Sequence, residues 1–277
     1  MKLDTAALRV SPGTKVKLGH IDPSYSAGWD EAGTKEELPG LCQRLANLQD
    51  LLYAAGRQSL LVVLQGMDAG GKDGTVRHVF SSVNPQDVVV QSFKTPSLEE
   101  NADDFLWRIH MAAPAKGRVA VFNRSHYEDV LIVRVHDLVA KDVWAGRYDQ
   151  INRFEHNLSD SGTKIVKLFL HIDKQEQLRR FKARLDDPAR QWKISDSDYS
   201  EREYWDAYQE AYEDAISKCS TERAPWYVIP ANKKWFRNLA VSQILVETLE
   251  SMDMRYPEPT VDLHQIRKLY HEAANGS

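Results

Sequence analysis

The sequence predicts an α/β protein of three layers, α/β/α, built on a parallel five-stranded sheet. Three observations carry that expectation. Runs of β-branched and aliphatic residues alternate with segments of helical periodicity, the pattern of a parallel sheet covered on both faces. A glycine-rich loop separates the first such run from the helix that follows it. The chain of 277 residues is 42% hydrophobic and 27% charged, a globular mix with enough length for a full core.

Taken in order, residues 1–33 are polar and interrupted by Pro12, Gly13, Pro23, Gly28 and Gly33, and read as an arm with Trp29 as an anchor. Leu38, Leu41, Leu45, Leu48 and Leu52 then recur at helical spacing. Thr34 and Glu37 fit a capping box, although Pro39 sits awkwardly inside that start and favours a later one. Ser59–Gln65 (SLLVVLQ) reads as a strand buried on both faces. Thr75–Val83 reads as a helix, Val88–Phe93 as a strand, Leu98–Met111 as a helix and Arg118–Phe122 as a strand. Further helices are expected at 148–158, 175–185, 201–217 and 235–252, with strands at 165–172 and 226–229. After Tyr256 the tail, 256–277, has Pro257 and Pro259 and room for one short helix.

Composition excludes several function classes. The longest uninterrupted aliphatic run, Leu60–Leu64, is far short of the roughly 20 residues of a membrane span, so no membrane role is expected. Cys42 and Cys219 make neither a disulfide framework nor a metal-binding pair, and with no signal peptide legible the expected location is cytoplasmic. The net charge of −4 argues against a nucleic-acid binder. That average hides a basic stripe. Between Arg179 and Lys193, six bases stand against two acids, a local charge of 6 − 2 = +4, and an acidic segment follows from Asp196 to Asp214. Such a stripe on an acidic protein points to an anionic ligand.

Gly66-Met67-Asp68-Ala69-Gly70-Gly71-Lys72-Asp73-Gly74 has the spacing G-x-x-x-x-G-K after a strand and before a helix. This pattern curls backbone N–H groups around a phosphate and sets an ammonium beside it. We therefore expect Gly66, Ala69, Gly70, Gly71, Asp73 and Gly74 to surround phosphate. The loop departs from the common form, because Asp73 replaces the Ser or Thr that usually follows the lysine. Asp68 and Asp73 are carboxylates beside a polyanion, which suits Mg²⁺. For Asp73, capping the helix is the alternative. At the end of the strand 118–122, Asn123 stands where an acidic metal ligand is common, followed by Arg124, Glu128 and Asp129. Arg124 has the fork for phosphate oxygens; a structural ion pair with Glu128 or Asp129 is its alternative. Residues 179–200, which carry Arg184, Arg190 and Lys193, read as a helical lid closing over phosphates. Trp205, Tyr208 and Tyr212 read as core packing, and His126 as a packed histidine.

These residues resemble the family-2 polyphosphate kinases. LQGMDAGGKDGT, SFKTPS (92–97), FNRSHYEDVLIVRVH (122–136), RRFKARLDDPARQWKIS and APWYVIPANKKWFRNLA carry the likeness across roughly 35–255. The resemblance implies a thymidylate-kinase-like P-loop kinase domain over 34–255, Mg²⁺, and phosphoryl transfer between inorganic polyphosphate and AMP, ADP or ATP. The combination of Asn123 with G-K-D is similar to the subgroup acting on both AMP and ADP. On that reading Lys72 and Arg124 meet the transferring group. Asp68 holds Mg²⁺ or orients the acceptor, and Glu128 and Asp129 are further metal candidates. Lys94 and Arg134 are weaker phosphate contacts, and a homo-oligomer is expected. The alternatives are an ATP-dependent nucleotide or small-molecule kinase on the same fold, and a non-catalytic nucleotide- or polyphosphate-binding module.

Overall fold

Strand β2 (Ser59–Gln65) is buried at every position and lies at the centre of the sheet. The computed structural model describes residues 3–275. On one side β2 pairs in parallel with β4 (Val119–Asn123), and β4 with β3 (Val88–Ser92); on the other side it pairs with β5 (Thr163–His171), and β5 with β6 (Trp226–Pro230). The register sets Leu64 of β2 beside Asn123, and Asn123 beside Ser92, so β2, β4 and β3 end near one level while β5 runs on to His171. Ligands in open parallel sheets bind at that carboxyl end.

Five parallel strands match the expectation, but the sheet has a sixth. β1 (Arg9–Val10) pairs antiparallel with β6, so the sheet is mixed, in the order β1-β6-β5-β2-β4-β3. Its two residues carry no readable alternation, which is why the segment reads as an arm. Leu8, Val10, Val16 and Leu18 from this region are buried in the main core. Ser220 Oγ donates to the Val10 carbonyl at 2.6 Å, and Glu213 accepts from the Leu18 amide at 2.8 Å.

Helices cover both faces. α1 (Glu31–Ala55) and α2 (Lys72–Val79) pack on α9 (Lys234–Glu250), a helix buried almost all round. On the opposite face, α5 (Lys141–Asp160) packs on β5 and on α8 (Trp205–Cys219). α1 begins earlier than the sequence suggested: Asp30 caps it, accepting from the Gly33 amide at 2.8 Å. Pro39 lies inside the helix but on its exposed face, where water can satisfy the orphaned carbonyl. The helix expected over 98–111 is only α3 (Trp107–Ala112). Ser97 and Glu100 bond one another's amides, and Asp104 accepts from the Leu106 amide at 2.8 Å. These local turns outcompete the helix. The helix expected over 201–217 is α8, starting at Trp205 after the short α7 (Asp196–Glu201), with α4 (Ile132–Val135), α6 (Lys174–Leu185) and α10 (Leu263–Asn275) completing the set.

Candidate active site

The glycine-rich loop joins β2 to α2 above the sheet's carboxyl end. Gly70 N–H closes a tight turn on Met67 O at 2.9 Å. Gly71 has φ +102°, and a Cβ there would land on Arg237 Nη1, so only glycine fits. Arg180 of α6 fixes the loop from behind. Its Nη1 donates to the carbonyls of Ala69 and Gly70, both at 2.8 Å, and its Nε to Glu176 at 2.7 Å. With these carbonyls held back and the Gly70 amide engaged in its turn, the other loop amides are available to a phosphate. Lys72 Nζ donates to Gly66 O at 2.7 Å. Burial, with Arg124 alongside, lowers the Lys72 pKa against the opposing pull of Asp68, Glu128 and Asp73.

Arg124 follows β4 with φ +64°, a left-handed backbone rare for a non-glycine residue. That twist aims the guanidinium at Asp68, whose Oδ1 accepts from Nη2 at 3.0 Å. The turn carrying Arg124 is pinned from beneath by a buried network. Lys167 Nζ, on β5, donates to Glu155 at 2.5 Å, to Cys219 O at 2.6 Å and to the Tyr127 hydroxyl at 3.0 Å. Glu155 also accepts from Tyr127 at 2.9 Å and lies 3.1 Å from His126 Nε2. His126 is fully buried, as a packed histidine should be.

Asn123 Nδ2 donates to Asp73 Oδ1 at 2.8 Å, and Lys193 Nζ lies 3.4 Å from Asp73 Oδ2. Burial would raise the Asp73 pKa, but Asn123, Lys193 and Lys72 outweigh it and hold the carboxyl below its usual value. Asp73 therefore links α2, β4 and the basic segment after α6.

Two cavities flank the loop. The larger, about 1060 Å³, is lined by ten Lys and Arg side chains and three Asp, 10 − 3 = +7 on a chain of net charge −4. Lys72, Asp73, Lys94, Arg184, Arg190 and Lys193 all lie on it. The smaller, about 240 Å³, is walled by Trp205, Tyr208 and Tyr212, with Glu128, Gly66 and Gln177. Asp68 and Arg124 line both cavities. The three aromatics thus do more than pack: they form a wall that helical spacing alone could not distinguish from core.

Two expected residues are not brought to this place. Asp129 bonds Arg147 at 3.2 Å, and burial, opposed by Arg147, pushes its carboxyl up to about 6. Arg134 pairs with Asp214 at 2.7 Å and lies over the Trp144 ring. The chain turns through a short 3₁₀ segment, His126–Val130, into α4, which rotates both side chains away. In their place the structure adds Arg180, Arg237, Lys234 and Asn238 to the large cleft.

Among the described residues no group of three or more His, Cys, Asp or Glu side chains could hold a metal by itself. A hard cation such as Mg²⁺ commonly takes only one or two carboxylates and completes its shell with water and phosphate oxygens. Asp68 and Glu128 face the smaller cavity together, so the donor set fits such an ion beside bound phosphate. Burial raises the Glu128 pKa, while Arg124 and Lys72 act to keep it ionised.

Residues 28–257 match the sequence profile of the family described as Polyphosphate kinase 2 (PPK2). The chain belongs to that family. The chain is 54% identical over 253 residues to the AMP/ADP-polyphosphate phosphotransferase of Meiothermus ruber, covering 91% of this chain and 95% of that protein. It is 47% identical over 276 residues to the ADP-polyphosphate phosphotransferase of Rhodopseudomonas palustris, covering 94% of each. The crystal structure of Polyphosphate Kinase 2 from Arthrobacter aurescens TC1 superimposes with a TM-score of 0.94 at 44% identity, covering 98% of this chain and 97% of that one. As a family-2 polyphosphate kinase, the protein is a polyphosphate-dependent nucleotide phosphotransferase. No helix among the described residues of this polyphosphate kinase is long and apolar enough to cross a membrane.

Proposed function

We propose that the protein transfers phosphoryl groups reversibly between inorganic polyphosphate and AMP or ADP, with polyphosphate in the large basic cleft and the nucleotide in the aromatic-walled cavity. The observation that carries this reading is that Asp68 and Arg124 alone line both cavities. Substrates entering from the two sides meet at that pair. Transfer of a phosphoryl group needs little covalent help from the protein; it needs the donor and acceptor aligned and the charge neutralised. Arg124 bridges the two sides with its fork, and Lys72 and the loop amides hold the transferring group. Asp68 keeps Arg124 aimed and positions the acceptor phosphate. Mg²⁺ held by Asp68 and Glu128 would supply charge neutralisation. The segment 179–200 contributes Arg184, Arg190 and Lys193 to the basic cleft, and Ser197 to the smaller cavity. It acts as a lid over both, excluding water that would otherwise take the phosphoryl group.

A cleft of charge +7 suits a linear polyanion better than a nucleoside triphosphate with its uncharged base and sugar. The deciding assay supplies AMP, Mg²⁺ and polyphosphate without ATP and measures ADP, then ATP. ADP formed at catalytic protein concentration is the expected result. A requirement for ATP as donor would replace this reading with an ordinary nucleotide kinase, and no turnover with either donor would replace it with a binding module. Raising ionic strength should raise KM for polyphosphate more steeply than KM for AMP, which carries fewer charges.

A further inference from the structure

Gln65 ends β2 and is fully buried, a polar side chain closing an apolar strand. It lines neither cavity, yet the next residue, Gly66, and the neighbours of its amide, Glu128 and Tyr212, all line the smaller one. Gln65 Oε1 accepts from the Tyr212 hydroxyl at 3.3 Å, and its Nε2 donates to Ser125 Oγ at 3.2 Å. Ser125 Oγ in turn accepts from the Tyr127 amide at 3.2 Å, capping the 3₁₀ segment that carries Glu128. The Arg124 amide donates to the carbonyl of Leu64, one residue before Gln65, at 3.0 Å. Burial pushes the Glu128 carboxyl up, and Arg124, Lys72 and a hydrogen bond from Gln65 act against that rise. The end of the central strand thus holds the turn after Arg124, the carboxylate of Glu128 and the ring of Tyr212.

A carboxamide suits this place because it offers two N–H donors on one side and an acceptor on the other. The donors meet a hydroxyl oxygen and a carboxylate, and the oxygen meets a phenol. A glutamate of the same length would bring no donor and would set a second negative charge against Glu128. An apolar residue would leave the Ser125 and Tyr212 hydroxyls and Glu128 each short of a partner. We infer that Gln65 is a positioning residue for phosphoryl transfer: through Ser125, Glu128 and Tyr212 it fixes the acceptor side of the site relative to the phosphate loop. This rests on the reading of the smaller cavity as the nucleotide site. Transfer depends on alignment, and a displacement of about 1 Å costs on the order of a hundredfold in rate. The loss of Gln65 is therefore felt in turnover and not in the hold on the donor chain.

The test uses Gln65→Met, Ser125→Ala and the double variant in the full chain. ADP formation from AMP and polyphosphate gives kcat and both KM values, at a temperature well below the melting point of each variant. Gln65→Met keeps the length and loses the amide, and should lower kcat about ten- to a hundredfold. KM for polyphosphate should stay within about twofold of wild type, since the large cleft is untouched. The double variant should be hardly slower than Gln65→Met, because both residues act on one turn. A purely structural role would lower the melting temperature and leave kcat of the folded enzyme unchanged. Turnover of Gln65→Met within about threefold of wild type would overturn the inference, as would a loss carried by KM for polyphosphate instead of kcat. Losses that multiply in the double variant would overturn the route through Ser125. Should Gln65→Met not fold, Ser125→Ala carries the test: a lowered kcat at unchanged KM for polyphosphate supports the inference, and wild-type kcat overturns it. A wild type that makes no ADP from AMP and polyphosphate fails the earlier reading instead.

Discussion

Asp68→Asn separates catalysis from folding. In the structure Asp68 Oδ1 accepts from Arg124 Nη2 at 3.0 Å, with the two side chains 34% and 40% exposed. At that distance two unit charges attract by about 1.4 kcal/mol under water-like screening. Side-chain ordering and salt reduce such a half-exposed pair to about 0.5 kcal/mol. Asparagine keeps the shape and an acceptor oxygen, so unfolding should shift by no more than about 2 °C. The cost in turnover is of a different order. Removing one preorganised charge at the reacting group costs about 10²–10³ in rate, or roughly 3–4 kcal/mol. The measurement pairs initial rates of ADP formation across a range of Mg²⁺ with a melting curve. Partial recovery at high Mg²⁺ would assign Asp68 to cation binding, and its absence would assign it to orienting the acceptor phosphate. A rate within tenfold of wild type at ordinary Mg²⁺ would refute both roles, and with them the junction of the two cavities as the place of reaction. A fall of many degrees in melting temperature would refute the separation of effects.

Lys72→Ala should lower turnover about 10²–10³ with little change in melting temperature, and steady-state rates near wild type would remove Lys72 from the transferring group. Asn123→Asp replaces the donor to Asp73 by a second carboxylate at hydrogen-bond distance, at a cost of about 1 kcal/mol on this exposed side of the loop. A new ionisation above the usual carboxylate range should then enter the pH–rate profile; a profile superimposable on wild type would refute the contact. Asp129 titrates near 6 in the folded protein against an ordinary value of 3.8, so the folded state holds the proton more tightly than the unfolded. Its contribution to stability therefore falls as pH rises from about 4 to about 6, by up to roughly 3 kcal/mol. Asp129→Asn should flatten that decline in urea unfolding at pH 4.5 and 7, and an unchanged decline would refute the assignment.

What the sequence revealed follows from how local each signal is. The SLLVVLQ and IVKLFLHI runs announce strands because burial on both faces demands continuous apolar character. The loop is legible because glycine spacing is itself the geometry. Helix 98–106 misleads because Leu98, counted as apolar periodicity, stands in solvent, while Asp104 bonds its own neighbours. Asp129 and Arg134 mislead because one short 3₁₀ segment changes which way the following side chains point. Arg237 and the aromatic wall are invisible in one dimension, since their meaning lies in what they face across the fold. Lys167 did carry a signal. A lysine in the middle of IVKLFLHI has no water to reach, so it must have a buried acid, and Glu155 is that acid.

The short strand at the sheet's edge has a consequence for how the molecule is made. Arg9 meets Glu222, which lies 213 residues further along the chain. At ordinary rates of synthesis, about 5–20 residues per second, that stretch takes roughly 10–40 s to emerge. Throughout that interval Leu8, Val10 and Leu18 have no finished surface to cover, and when β6 does appear its outer backbone groups are open to any extended chain nearby. Docking of β1 ends that exposure. A nascent chain can therefore complete its phosphate loop well before it has sealed its sheet, and deletion of residues 3–18 should be felt first as self-association during synthesis rather than as lost chemistry.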